Sequence, residues 1–344
     1  MPGDDDVVFD LECCGVCHSD LHMIQNDLGN SVFPMIPGHE LAGTVTSVGK
    51  NVTKFKVGDS IGVGCFVDSC RDCAACKCGD EQYCGKGMTL TYNSPRAHGR
   101  AGPLEDTPTK GGYSSKYVVN ENYGIKVPKS YPLEKAGPVM CSAITLWDPL
   151  MHFGAGKGGK KVGIAGIGGL GVMGIKLALA LGNEVYGITN SPGKKAKIEE
   201  FGAKCVIASD PEAMKAMAGT FDLILDTVSA KHDLMTYIPL LAHDGTHVLL
   251  GLVTEPFSFV SLPMIFQRTK VAGSVIAGIK STQDCMDFCA EKNIYQETQL
   301  VPCDKVNWVL EKLKSVNDTP VRYVLDIKNT MPKFSEVEGD VAQS

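Results

Sequence analysis

One short stretch, "KVGIAGIGGLGVMG" at residues 161–174, constrains the fold more than any other. An apolar strand runs into Gly166, Gly168 and Gly171, spaced GxGxxG, and the pattern then turns helical. Glycine permits the tight turn and the close approach of a pyrophosphate, whose charge meets backbone N–H groups of the helix N-terminus, with Gly169 and Leu170 in that turn. A glycine-rich helix-packing site would use the same residue types, but the flanks favour a nucleotide. From about residue 143 to 275, strand candidates ("KVGIAG", "EVYGIT", "KCVIAS", "FDLILDT", "THVLLGLV", "KVAGSVIAG") alternate with helical patterns such as "LGVMGIKLALAL", "PGKKAKIEEFG" and "KHDLMTYIPLLAH". That alternation predicts a doubly wound parallel sheet that binds a dinucleotide.

At the end of the next strand a carboxylate usually holds the ribose 2′-hydroxyl of NAD. This chain has neutral Thr189, Asn190 and Ser191 there, followed by Lys194 and Lys195. With no carboxylate to repel it, a 2′-phosphate accepts hydrogen bonds from Ser191 and charge from a lysine, so NADP(H) is the expected cofactor. Were both lysines only the solvated start of a helix, the preference would stay open.

A chain of 344 residues is long enough for two domains. From about 40 to 128, short β-rich pieces ("LAGTVTSVG", "SIGVGCFV", "YSSKYVVN", "GIKVP") lie between Gly, Pro and Asp turns, which predicts a compact barrel-like unit. The mixed elements near the C-terminus are expected to rejoin it, giving one domain of 1–142 with 276–344 and a nucleotide-binding domain of 143–275. A net charge of −6 disfavours nucleic acid or an anionic membrane as partner. The acidic start lacks the positive charge and unbroken apolar run of a signal peptide, and the most apolar stretch, 162–182, is interrupted by Lys176 and glycines. The expectation is a cytoplasmic protein.

In a reducing compartment clustered cysteines are metal ligands more often than disulfides. "SCRDCAACKCGDEQYC" sets Cys70, Cys73, Cys76 and Cys84 as C-x2-C-x2-C-x7-C, which lets four thiolates enclose one tetrahedral zinc without a distant partner. A metal-free reduced loop and an iron–sulfur cluster are the alternatives. Cys78 has no place in this spacing. Other ligand types are scattered: Cys17, His18, Ser19, Asp20 and His22 in "CGVCHSDLH", His39 and Glu40 in "PGHE", Cys141 and Thr145 in "VMCSAIT". An open catalytic zinc site takes about three protein ligands, and Cys17, His39 and Cys141 offer two thiolates and an imidazole. Each taken singly also reads as a packed cysteine or a hydrogen-bonded histidine.

These segments, with "GDDDV", "FPMIPGHELAGTV", "KFKVGDSIGVGCFVDSCRDCAAC", "EQYC", "GGYSSKYVV", "GIGGLG" and "VRYVLDI", run in order along nearly the whole chain. The sequence resembles the zinc-dependent medium-chain alcohol dehydrogenases, most of all the cinnamyl alcohol dehydrogenase group. The resemblance implies an α/β protein, with a GroES-like β-rich catalytic domain around a Rossmann doubly wound sheet and the active site in the cleft between them. It implies two zinc ions per chain. Cys17, His39 and Cys141 match the catalytic ligands, and Cys70, Cys73, Cys76 and Cys84 the structural ones. Glu40 matches a residue near the metal, and Asp20 one that orients the imidazole ligand. Ser19 and His22 match a proton relay that runs from the substrate oxygen through the nicotinamide ribose towards solvent. Thr145 matches a nicotinamide contact, and His18 and Arg322 match positions near the pyrophosphate. The implied activity is reversible, NADP(H)-linked hydride transfer to a small aldehyde, aromatic or medium aliphatic, by a homodimer.

Three features depart from the family pattern. The chain begins where relatives carry a few tens of residues more, so one or two early strands are expected to be missing. The loop "TYNSPRAHGRAGPLEDTPTKGGYSS" is longer and more charged than the family's, and Leu28 stands where many relatives have Trp, so the substrate entrance is expected to differ. A mannitol-type polyol dehydrogenase is the nearest alternative function. A non-catalytic, nucleotide-binding redox sensor using Cys13, Cys14, Cys65, Cys78, Cys205, Cys285, Cys289 and Cys303 is the alternative of a different class.

Overall fold

A computed structural model describes residues 2–95, 107–314 and 321–332. Its first strands are β1 (Asp6–Gly15), β2 (Leu41–Val48), β3 (Ser60–Val63), β4 (Phe66–Asp68), β5 (Thr89–Leu90), β6 (Lys116–Asn120) and β7 (Ile125–Lys126). Then come β8 (Lys161–Ala165), β9 (Glu184–Thr189), β10 (Lys204–Ile207), β11 (Phe221–Asp226), β12 (Leu241–Leu249) and β13 (Lys270–Gly273), followed by β14 (Thr298–Val301) and β15 (Arg322–Asp326).

Strands β8 to β13 form one parallel sheet in the order β10-β9-β8-β11-β12-β13. Ile164, Leu223, Leu225 and Val248 are buried within it, as a sheet covered by helices on both faces requires. The order reverses between β8 and β11, and the crevice beyond their C-terminal ends is where such sheets take ligands. This is the doubly wound half of the expected α/β fold.

The other large sheet runs β14-β15-β1-β2-β3-β7, with β6 also paired to β1. β1 holds β6 along its first half (Asp6 to Asp10) and β15 along its last residues (Cys13 to Gly15), which curls the sheet round it. The chain leaves this sheet through the helices Leu133–Pro138 and Ile144–His152 and returns through the helix Ile279–Lys292. Met140, Ile144, Leu146 and Leu150 are buried there and belong to an apolar core shared by both sheets.

Two readings of the sequence need correction. β1 precedes residue 40, where the β-rich pattern was expected to begin, although Val7, Phe9, Leu11 and Cys13 alternate inward along it. "KHDLMTYIPLLAH" is not an α-helix but two 3-10 turns, Leu234–Thr236 and Ile238–Leu240, followed by the start of β12. Pro239 supplies the reason, since it has no N–H to donate and its ring clashes with the preceding helical turn. "SIGVGCFV" divides at Gly64 and Cys65 into β3 and β4. The long charged loop falls largely on 96–106, outside the described residues. Among the described residues, no helix is long and apolar enough to cross a membrane.

Candidate active site

Cys17, His39, Glu40 and Cys141 converge, each offering a ligand atom within 4.8 Å of the other three. Separate elements deliver them. Cys17 follows β1 and caps the helix His18–Gln25 with extended backbone, and His39 and Glu40 lead into β2. Cys141 sits in a π-helical turn, Val139–Ala143, directly after Pro138. Such a widened turn re-aims a side chain and is frequent at functional sites.

Asp20 ties these segments together from a fully buried position. Its Oδ2 accepts the Cys17 N–H at 2.9 Å and the Tyr113 hydroxyl at 3.2 Å. Its Oδ1 accepts the Gly38 N–H at 3.1 Å and faces His39 Nδ1 at 3.2 Å. A buried carboxylate is tolerated when its lone pairs are used in this way. With Nδ1 engaged, Nε2 is the His39 nitrogen left to bind a metal. Glu40 fits only between glycines, because a Cβ on Gly15 would collide with its carboxylate and one on Gly137 with its carbonyl oxygen.

Burial pushes the Glu40 carboxyl up to about 7, against the pull of the Arg322 guanidinium 3.2 Å from Oε1. Neither Glu40 oxygen receives a well-directed hydrogen bond. The Cys17 and Cys141 sulfurs lie 3.9 Å apart. Their shared hydrogen bond holds Cys17 well below the usual thiol range and pushes Cys141 above it. Burial alone would lower the His39 imidazole, but Asp20, Cys65 and Cys17 outweigh it and raise the group. One soft divalent cation at the common point satisfies two sulfurs, an imidazole and a neighbouring carboxylate, so the donor set fits zinc.

The second cluster is Cys70, Cys73, Cys76 and Cys84, again with ligand atoms within 4.8 Å of one another. Backbone N–H groups of Cys70, Cys73 and Gly85 donate to the sulfurs of Cys84, Cys70 and Cys73 at 3.4, 3.3 and 3.3 Å. Donation of this kind from Cys76 and Gly85 brings Cys73 down to about 6. Four sulfurs with no open position suit a structural zinc. Cys78 is exposed at the end of the helix Ala74–Cys78, and Cys13, Cys14, Cys285 and Cys289 are buried.

The glycine turn separates its residues by task. Gly166 has φ of +82°, and a Cβ on Gly171 would collide with the Gly166 carbonyl. A Cβ on Gly168 meets nothing within 4 Å, leaving a cradle that a phosphate can enter. The helix Gly169–Ala180 has no side-chain cap and no acid in its first turn, so its N–H groups are left for an anion. Lys194 Nζ donates to the Ile167 carbonyl at 3.0 Å, which places an ammonium on the turn. Lys195 instead pairs with Glu199 at 3.9 Å on the surface. Thr189 Oγ1 accepts the Ser191 N–H at 3.2 Å, and Asn190 is exposed beside them. No carboxylate ends β9, so the residues present fit NADP(H).

Ser19 Oγ lies 3.7 Å from Cys17 Sγ, and His22, one turn along the same helix, has Nδ1 2.7 Å from Asp27 Oδ2. Thr145 Oγ1 donates to the Cys141 carbonyl at 2.7 Å. His18 Nε2 faces the Leu313 carbonyl at 3.0 Å, and Arg322 reaches the Val16 carbonyl at 3.4 Å. Three residues near the site gave no sign in the sequence: Asp27, Tyr113 and Tyr92, whose ring stacks on His39 with centroids 6.0 Å apart. Cys65, one of the cysteines outside both ligand sets, has its thiol 3.7 Å from the Met140 carbonyl.

The chain matches the alcohol dehydrogenase GroES-like domain over residues 3–129 and the zinc-binding dehydrogenase domain over 169–291. It is 46% identical to NADP-dependent alcohol dehydrogenase C 1 of Mycolicibacterium smegmatis over 94% of this chain and 91% of that protein. Probable mannitol dehydrogenase 1 of Stylosanthes humilis is 42% identical over 95% of this chain and 90% of its own length. Among solved structures, a cinnamyl alcohol dehydrogenase of Sorghum bicolor superposes with a TM-score of 0.91 at 38% identity, covering 97% of this chain and 93% of the other.

Proposed function

The chain belongs to the zinc-dependent alcohol dehydrogenases, and from that premise we propose that its cleft interconverts an aromatic or medium aliphatic aldehyde with the primary alcohol. The protein is an NADP(H)-linked alcohol dehydrogenase and aldehyde reductase. In our reading Cys17, His39 and Cys141 hold one zinc ion, and Cys70, Cys73, Cys76 and Cys84 hold a second. When bound, the first supplies Lewis acidity to the substrate oxygen and NADPH supplies the hydride.

The chain's own groups do the rest. Ser19 donates a proton to the substrate oxygen in the reducing direction, and His22, held by Asp27, restores it from solvent. Asp20 keeps His39 in its ligand tautomer, and Arg322 balances the Glu40 charge. Gly166 to Gly171 cradle the pyrophosphate, flanked by His18 and Arg322, with Thr145 beside the nicotinamide. Thr189, Asn190 and Ser191 receive the adenosine ribose, and Lys194 supplies charge to its 2′-phosphate. Lys195 stays on the surface. The observation that carries this reading is the convergence of two thiols and an imidazole beside the Ser19 hydroxyl.

The apolar Leu28, Val32 and Phe33 are exposed on the segment joining the relay helix to His39, and Tyr92 covers the imidazole. These surfaces favour an aromatic or alkyl substrate over a polyol. On the parallel sheet, Leu262, Ile265 and Phe266 are exposed on the helix Ser261–Gln267 near the edge strand β13, an apolar face suited to a second copy in a homodimer. Fourteen free cysteines suit a reducing cytoplasm. The test is a substrate matrix on zinc-loaded protein. NADPH consumption with cinnamaldehyde or benzaldehyde is expected; efficient mannitol oxidation with little aldehyde reduction would transfer the reading to polyols.

A further inference from the structure

Asp226 is the last residue of β11, where the order of the parallel sheet reverses, and it is 1% exposed. Its Oδ2 faces His232 Nε2 at 2.7 Å and His247 Nε2 at 3.0 Å, and its Oδ1 accepts the Val228 N–H at 3.0 Å. A carboxylate only accepts, so both imidazoles turn an N–H towards it. The second ring nitrogen of His232 faces the Ala230 carbonyl at 2.8 Å. His232 therefore ties the loop after β11 to the end of the sheet through Asp226. Tyr237 packs against both imidazoles with centroids 5.7 Å away, and Phe257 closes on His232 at 5.2 Å. His247 is fully buried on β12 with Nδ1 unpartnered. His247 is thus held in the core by the one bond its Nε2 makes to the Asp226 carboxylate, which an apolar side chain could not supply.

What the arrangement holds is one wall of the glycine turn. The Thr227 N–H donates to the Ala165 carbonyl at 2.9 Å and its hydroxyl to the Gly166 carbonyl at 2.7 Å. A Cβ on Gly166 would lie 2.9 Å from Thr227 Oγ1 and 3.0 Å from a Val228 methyl. On the far side the Asp226 carbonyl accepts the Leu250 and Gly251 N–H groups at 2.9 and 3.1 Å, and a side chain on Gly251 would collide with the Val228 carbonyl. The loop 227–229 is thus clamped between the glycine turn and the end of β12. None of these residues belongs to either cysteine cluster.

We infer that Asp226, with His232 and His247 donating to it, is a positioning residue for NADP(H): it fixes the loop against which the glycine turn is shaped. The inference rests on the reading of Gly166 to Gly171 as the pyrophosphate cradle. His232 is the least buried member, so His232→Ala is the variant of choice, with Asp226→Asn as a second probe. On zinc-loaded protein, NADPH titrated by its fluorescence should give a Kd about tenfold above wild type for His232→Ala. At saturating NADPH its kcat should stay within about twofold of wild type, with zinc content unchanged. His232→Gln keeps a donor for Asp226 and should recover most of the affinity, whereas Asp226→Asn should bind NADPH at least as weakly as His232→Ala. A His232→Ala Kd equal to wild type, a fall in kcat with Kd unchanged, or a Gln variant no better than Ala overturns the inference. Wild-type protein that binds no NADPH overturns the cradle reading along with it, so the two failures are told apart by the wild-type titration.

Discussion

Asp20 sets more of the site's geometry than any single metal ligand, because donors from two segments, Cys17 and Gly38–His39, and the Tyr113 hydroxyl meet on its two oxygens. Asp20→Asn keeps the volume but turns an NH2 group towards donors. It should lower affinity for the catalytic zinc by about 10- to 100-fold, read by competition with a chelator. Ser19→Ala should leave both zinc ions in place and lower kcat/KM by about 10²- to 10⁴-fold. The pair separates holding the metal from moving the proton. Asp148 makes a different point: burial and the nearby Asp80 raise its carboxyl to about 6 from 3.8, with His152 opposing. A carboxyl raised by folding favours the folded state while protonated and loses that contribution as pH climbs. The Tm advantage of Asp148→Asn over wild type should therefore open between 3.8 and about 6 and then level off. A gap that stays constant or closes over that window would refute the assignment.

At the scale of the element, the glycine turn makes the sharpest distinction. Gly171→Ala has no room and should cost about 1–3 kcal/mol of stability. Gly168→Ala points into open space, so it should melt like wild type yet bind NADPH poorly, as thermal unfolding with and without NADPH will show. This element was legible in the sequence because strand, turn and helix are contiguous and each obeys a local rule. The cysteine lobe was legible for the same reason, its four sulfurs lying within fifteen residues. Where the outcome depended on distant partners, local pattern misled. β1 carries its own alternation in Val7, Phe9, Leu11 and Cys13, but only β2, β6 and β15 make it the centre of its sheet, and "KHDLMTYIPLLAH" keeps a helical period that Pro239 defeats. Cys141 had the right residue type, but no spacing rule foretells that a π turn aims it at Cys17. Asp27, Tyr92 and Tyr113 are ordinary residues until the chain folds them against His22, His39 and Asp20.

The whole molecule joins two sheets through one apolar core. Assembly belongs to this scale too. Phe266 and Ile265 are 77% and 70% exposed, far more than isolated apolar residues need be. Phe266→Asp with Ile265→Asp should halve the mass seen by light scattering while leaving the melting transition cooperative, and a wild-type protein that is already monomeric would dismiss the dimer. The central claim is that residues remote in sequence build a second, open metal site besides the closed cysteine lobe. Zinc counted per chain by elemental analysis, on wild-type protein active in aldehyde reduction and on Cys17→Ala, tests it most directly. Two zinc ions in the wild type, and one in an inactive but folded variant, are predicted; a single zinc per chain in fully active wild type would contradict the account.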